Sequence, residues 1–253
     1  MPIFHWDVDQ NSADWLQLRA GRPTASEFHR VMTPKQMKPA EARLKYAAEI
    51  IAERLVNWQK NSLDKIDHIA DGKKNEPIAI ARLELIHEIE TTPVGFVTTN
   101  DGRFGASPDR VAGINADRTR VSTVIEAKSP TVPIQIGYLI HGHDDAYRCQ
   151  VQGQLLVCEA DKAIFQAYNP HTPDYMVETG RDEPFIRSLS DCLERFSDEL
   201  EAWTERAKAA GTYQPYARLL TPAEAEYAEL RQRAESDEDV QAILDSQKAA
   251  WGG

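Results

Sequence analysis

The sequence predicts an α/β protein. Three features of the chain lead there. Val121-Ser-Thr-Val-Ile125 is a β-branched run that follows a polar, turn-rich stretch at 113–120, the pattern of a strand entered from a reversal. Lys162-Ala-Ile-Phe-Gln-Ala-Tyr168 is a second strand-like run, stopped by Asn169-Pro170. Ile186, Leu189, Leu193, Phe196, Leu200 and Trp203 recur at helical spacing. At 253 residues the chain can bury one large core, and it divides most simply into a domain at 1–220 and a helical appendage at 221–253.

The elements follow in order. Ser12 caps a short helix around Trp15-Leu-Gln-Leu-Arg19, ended by Gly21-Arg22-Pro23. Thr24 and Glu27 have capping-box spacing ahead of the apolar stripe Phe28, Val31 and Met32. Ser26 then falls in a first helical turn, where backbone N–H groups favour an anion, with Arg19 near in sequence; from this segment alone a plain Thr24 cap with a surface charge at Arg19 is the stronger reading. Leu44, Ala48, Ile51, Leu55 and Trp58 share a helical face that reads as core. Asp71 to Asn75 reads as a polar loop, and Glu76-Pro77 as the start of the next helix.

Residues 104–112 and 121–128 read as an antiparallel hairpin, with Thr123, Ile125 and Ala127 on the buried face and Glu126 and Lys128 on the other. Pro130 to His143 reads as a loop whose His141-Gly142-His143 looks more like a turn than a metal-binding pair. A helix from Asp145 to Val157 carries Gln150 and Gln154 one turn apart, able to orient a water or simply to line a half-exposed face. The long helix of Ile186 to Trp203 ends by Gly211. A further segment starts at Thr221-Pro222, passes acidic 235–239 and closes with a short helix reaching Trp251.

Composition narrows the classes. Cys149, Cys158 and Cys192 lack Cys-x-x-Cys spacing, which excludes a zinc ribbon, a four-cysteine cluster or a disulfide framework and fits a reducing cytoplasm. The chain shows neither a basic start followed by an apolar run nor a membrane-length apolar stretch, so a soluble cytoplasmic protein with no membrane partner is expected. The net charge is −11, and residues 221–253 hold eight acidic against three basic residues. This charge decides nothing about nucleic acid, because a basic groove can sit on an acidic body.

The chemistry lies in Ser107-Pro108-Asp109 and, seventeen residues after the aspartate, Glu126-Ala127-Lys128. Two carboxylates and an amine are the minimum for metal-assisted phosphodiester hydrolysis: hard oxygen ligands hold a divalent cation, which neutralises phosphate charge and activates water. Glu-x-Lys alone is also a common cross-strand charge pattern. The preceding Ser-Pro-Asp and the apolar strand favour a site. Glu76 becomes a third candidate acid only if its helix start faces the hairpin.

The ordered set Trp15…Arg19-Ala-Gly21…Thr24-Ala-Ser26, Gly72…Glu76, Ser107-Pro108-Asp109, Glu126-Ala-Lys128-Ser-Pro130 and Tyr147…Gln150-Val-Gln152…Leu155 resembles the YqaJ and phage lambda exonuclease group of PD-(D/E)xK nucleases over 12–170. The resemblance implies a central mixed sheet flanked by helices in a restriction-endonuclease-like PD-(D/E)xK core, and a 5′-to-3′ exonuclease on linear double-stranded DNA. Such an enzyme prefers 5′-phosphorylated ends, releases mononucleotides and leaves a 3′ overhang for single-strand-annealing recombination.

Position by position, the resemblance makes Asp109, Glu126 and the Ala127 carbonyl metal ligands, with Glu76 an additional acid. Lys128 positions or deprotonates the attacking water, Gln150 is the site glutamine, and Arg19, Ser26 and Ser107 hold the terminal 5′-phosphate. It further implies two Mg2+ ions, with Mn2+ able to substitute, a homotrimer threaded by DNA, a single-strand annealing partner, and a phage or prophage origin in a bacterial host. Ser129 stands where the family often has Cys. A RecB-like or CRISPR-associated nuclease, a restriction-type endonuclease and an inactive DNA-binding module are the competing readings; the first usually carries a four-cysteine cluster, and all the acids and the lysine speak against the last.

Overall fold

In the computed structural model of the protein, residues 1–58 and 66–216 are described, 66–74 as backbone only. The appendage expected at 221–253 lies outside the described residues. In order the elements are β1 (Ile3–His5), α1 (Ala13–Arg19), a 3-10 helix (Ala25–Arg30), β2 (Met32–Thr33), β3 (Lys38–Pro39), α2 (Arg43–Val56), α3 (Ile66–His87), β4 (Phe96–Thr98), β5 (Gly105–Ala106), β6 (Arg110–Ala112), β7 (Thr123–Lys128), α4 (Val132–His141), α5 (Asp145–Cys158), β8 (Lys162–Ala167), β9 (Tyr175–Gly180) and α6 (Glu183–Ala209).

The main sheet has the order β6-β7-β8-β9. Strands β7 and β8 are parallel, with Glu126 beside Phe165, while β6 and β9 run antiparallel to their neighbours. Parallel neighbours need a crossover, which α4 and α5 provide. This explains why 123–125 is apolar or β-branched throughout: β7 is covered on both faces. Ile125 packs with Ile80 and Leu83 of α3. Val124 belongs to the larger core with Val151 and Leu155 of α5 and Phe185, Leu189 and Phe196 of α6. The expected mixed sheet between helical layers is therefore present.

Several expectations need correction. The stretch 104–112 is not one strand: β5 pairs with β4 in a separate sheet of order β1-β4-β5, and β6 pairs with β7. The chain changes sheets at Ser107-Pro108-Asp109, where proline has no N–H to continue a ladder. Helix α2 buries Tyr46, Ala47 and Ile50, whereas Leu44 is 56% exposed. The aromatic ring decides the face, because Tyr46 stacks on Phe196 at 5.9 Å and its hydroxyl accepts the Thr24 N–H at 3.1 Å.

Asp71 to Asn75 is helical and Pro77 lies inside α3; a proline removes one backbone bond, and burial of Ala79, Ile80 and Leu83 outweighs it. Residues 132–141 are helix, not loop, with proline in the first turn. Strands β1, β4 and β9 carry no sequence signal strong enough to separate them from loop. Helix α1, capped by Ser12 on the Trp15 N–H, helix α5, strand β8 and helix α6 lie where expected.

Leu83 is fully buried between α3 and the sheet. Leu83→Ala is expected to lower unfolding stability by about 2–5 kcal/mol, read from urea denaturation midpoints at an unchanged slope.

Candidate active site

The sheet change sets Asp109. Gln10 Nε2 donates to the carbonyls of Pro108 and Val94, each at 3.0 Å, fixing the break. The Asp109 N–H then donates to Ile125 O at 3.0 Å, and the Asp109 carboxylate accepts the Ala127 N–H at 2.7 Å. One step before the Arg110–Ile125 pair, Asp109 lies across from Glu126. Glu126 is 2% exposed, the burial of a carboxylate that must be partnered. Lys128 Nζ donates to its Oε1, and Gln154 Nε2 donates to its Oε2 at 2.5 Å. The Lys128 ammonium also lies 5.6 Å from the Tyr147 ring centroid.

The electrostatics follow. Burial, and next the charge of Glu126, push the Asp109 carboxyl well above the usual carboxylate range, against the pull of Lys128 and the Ala127 N–H. Burial opposes charge on Lys128, but Glu126 and Asp109 outweigh it and raise its pKa above the ordinary lysine value. Two carboxylates thus face one ammonium. A divalent cation would relieve their repulsion, and the donors are hard oxygens.

A cleft of about 110 Å³ opens here, lined by Asn75, Glu76, Ala79, Asp109, Ala127, Lys128 and Ser129. Glu76 therefore reaches the hairpin site, and its charge adds to the Asp109 shift. Among the described residues, however, no three acids, His or Cys gather closely enough to form a metal cage. Asp109 and, at the rim, Glu76 are the hard-oxygen donors that open onto the cleft, with the Glu126 carboxylate behind them between Lys128 and Gln154.

The structure brings Arg19, Ser26 and Ser107 together. Arg19 Nη1 donates to Ser107 Oγ at 3.2 Å, and Nη2 to Ser26 Oγ at 3.3 Å and Thr24 Oγ1 at 3.4 Å. The guanidinium stacks 4.3 Å from the Trp15 ring, whose Nε1 donates to Ser107 Oγ and Gly95 O, both at 3.0 Å. Burial lowers the Arg19 pKa, but nearby acidic groups oppose the shift and guanidinium stays protonated. Among the described residues no carboxylate pairs with it. Thr24 makes no side-chain cap; its hydroxyl belongs to this pocket, and the capping-box reading is corrected. Gly153 allows the pocket to close: a Cβ there would lie 2.5 Å from Phe28 Cδ2, so only glycine lets α5 approach the 3-10 helix that carries Ser26.

Two histidines and a glutamine complete the survey. His143 stacks on Phe165 at 4.7 Å with Nδ1 3.1 Å from the Tyr175 hydroxyl, a packing role, and His141 ends α4. Gln150 is buried on α5 without a hydrogen bond among the described residues. Gln154, one turn on, is the glutamine that touches Glu126, and the sequence carried no signal for a contact across 28 residues. The three cysteines are free and buried. No helix among the described residues is long and apolar enough to cross a membrane.

A mixed sheet that presents Asp109, Glu126 and Lys128 between helical layers defines the core of the PD-(D/E)xK nucleases. The chain belongs to the YqaJ-like viral recombinase domain family, whose profile matches residues 14–161. It is similar to the alkaline exonuclease LHK-Exo from Laribacter hongkongensis, with a TM-score of 0.68 and 27% identity over 79% of this chain and 97% of that one. The same enzyme solved with dAMP gives 0.67 and 28%, with the same coverage. A phage-related exonuclease from Haemophilus somnus 129PT shares the fold at a TM-score of 0.57 and 12% identity, over 76% of this chain and 99% of that one. Curated protein sequences give no match.

Mg2+ or Mn2+ at a hundredfold excess over its dissociation constant is expected to stabilise the folded chain by about 2.7 kcal/mol relative to EDTA. Asp109→Asn should abolish that gain, both read by thermal unfolding.

Proposed function

We propose that the chain is a metal-dependent exonuclease that digests one strand of linear double-stranded DNA from its 5′-phosphorylated end. It releases mononucleotides and leaves a 3′ overhang suited to single-strand annealing. The observation that carries this reading is the two-residue separation of Ser107, in the half-buried arginine pocket, from Asp109, in the carboxylate site. Two residues span at most about 7 Å, on the order of the distance between consecutive phosphates of one strand. A terminal phosphate held by Arg19, Ser26, Ser107 and Thr24 therefore sets the next phosphodiester at Asp109 and Glu126, and each cut removes one nucleotide. The dAMP in complex with LHK-Exo is a mononucleotide of that size.

Arg19 supplies a fixed, charged fork, and the three hydroxyls fill its remaining geometry, so the pocket binds phosphate tightly. Asp109, Glu126 and the Ala127 carbonyl would hold the metal, with Glu76 the additional acid and Gln150 the site glutamine. Two Mg2+ ions held there would supply the polarisation of the phosphate and the lowered pKa of the attacking water. Lys128, already charged beside Glu126, orients that water and stabilises charge as it develops. We extend the proposal to a homotrimer, a single-strand annealing partner and the cytoplasm of a phage-bearing bacterium; support for these comes from the family resemblance.

Lys128→Ala is expected to lower kcat by about 10²–10⁴-fold while DNA binding, measured by anisotropy, stays near wild type. Arg19→Ala should reduce the preference for 5′-phosphate over 5′-hydroxyl ends by about 10–100-fold, the worth of a charge-assisted hydrogen bond or two. Turnover surviving the first change removes the assigned chemistry, and preference surviving the second removes the pocket.

A further inference from the structure

Gln154 is 1% exposed. Its Nε2 donates to Glu126 Oε2, while its own Oε1 is buried and has no hydrogen-bond partner among the described residues. Turning the amide over would face Oε1 against a carboxylate oxygen, acceptor against acceptor, so the NH2 group must point at Glu126. An unpaired buried carbonyl costs free energy. The fold accepts that cost where the donor end is in use.

The other partner of Glu126 is Lys128, an ammonium on a flexible four-carbon stem. The terminal torsion of glutamate is broad and roughly two-fold, so one mobile donor does not fix the carboxylate plane. A second donor does, and Gln154 is locked in the interface between α5 and β7, beside Gly153 in its close contact with Phe28. We infer that Gln154 is a positioning residue: it holds Glu126 Oε2 so that the carboxylate keeps one orientation toward Asp109, whatever Lys128 does during turnover. This rests on the proposed function, which makes Glu126 a metal ligand. Groups that orient metal ligands typically contribute 10–100-fold in metal affinity.

The test is calorimetric titration of the full chain with Mg2+ alone, comparing wild type, Gln154→Met and Gln154→Ala. The methionine variant keeps length and removes the donor, and the alanine variant serves if methionine does not fold. The expected result is about 10–100-fold weaker Mg2+ binding, with kcat reduced and KM for DNA unchanged. A folded variant that binds Mg2+ as wild type does, even with a lower thermal midpoint, overturns the inference alone and leaves the site reading standing. A wild-type chain that binds no Mg2+ overturns both.

Discussion

The burial of Glu126 behind the half-buried Asp109, beside a single ammonium, is the constraint on which the rest of the structure depends. A carboxylate 2% exposed is tolerable only with partners, and this one has two, Lys128 on the same strand and Gln154 from the crossover helix. Glu126 can be buried because β7 lies inside the sheet between two helical layers, with Ile125 against α3 and Val124 against α5. The arrangement remains short of positive charge, since Asp109 is pushed toward its neutral form. A site that a cation would stabilise is thereby built into the apolar centre of the fold.

The second half of the account is the sheet change at Ser107-Pro108-Asp109. Because the chain leaves the small sheet at Ala106 and joins the main one at Arg110, two adjacent turns of backbone serve two sites. Ser107 faces Arg19 and Trp15, and Asp109 faces Glu126. Gln10 clamps the break from behind, and the absence of a side chain at Gly153 brings the 3-10 helix with Ser26 and Thr24 close to α5. The arginine–hydroxyl cluster and the carboxylate site are thus fixed relative to each other by short, covalent spacing.

Much of this was legible in the sequence, for identifiable reasons. Helix α1, helix α5, strand β8 and helix α6 have strong caps or clean periodicity. Asp109, Glu126 and Lys128 follow from local spacing and strand alternation. Arg19, Ser26 and Ser107 were grouped by resemblance, since no local pattern joins residues 88 apart. What failed was decided by tertiary contacts: the buried face of α2 was set by Tyr46 against Phe196, and a helix with proline inside was held by packing on β7. Thr24 looked like a cap because its spacing to Glu27 fits one, yet its hydroxyl turns to Arg19. Gln154 could not be distinguished from Gln150 without knowing which turn of α5 faces β7.

The central claim is that an anion pocket one nucleotide from a carboxylate–lysine site makes an end-dependent nuclease. The most direct measurement is Mg2+-dependent digestion of linear duplex DNA, with and without 5′-phosphates, beside a covalently closed circle, following strand polarity and product length. The account predicts mononucleotides from the 5′-phosphorylated strand and an intact circle. Cutting of the circle, or digestion indifferent to the 5′-phosphate, would contradict it.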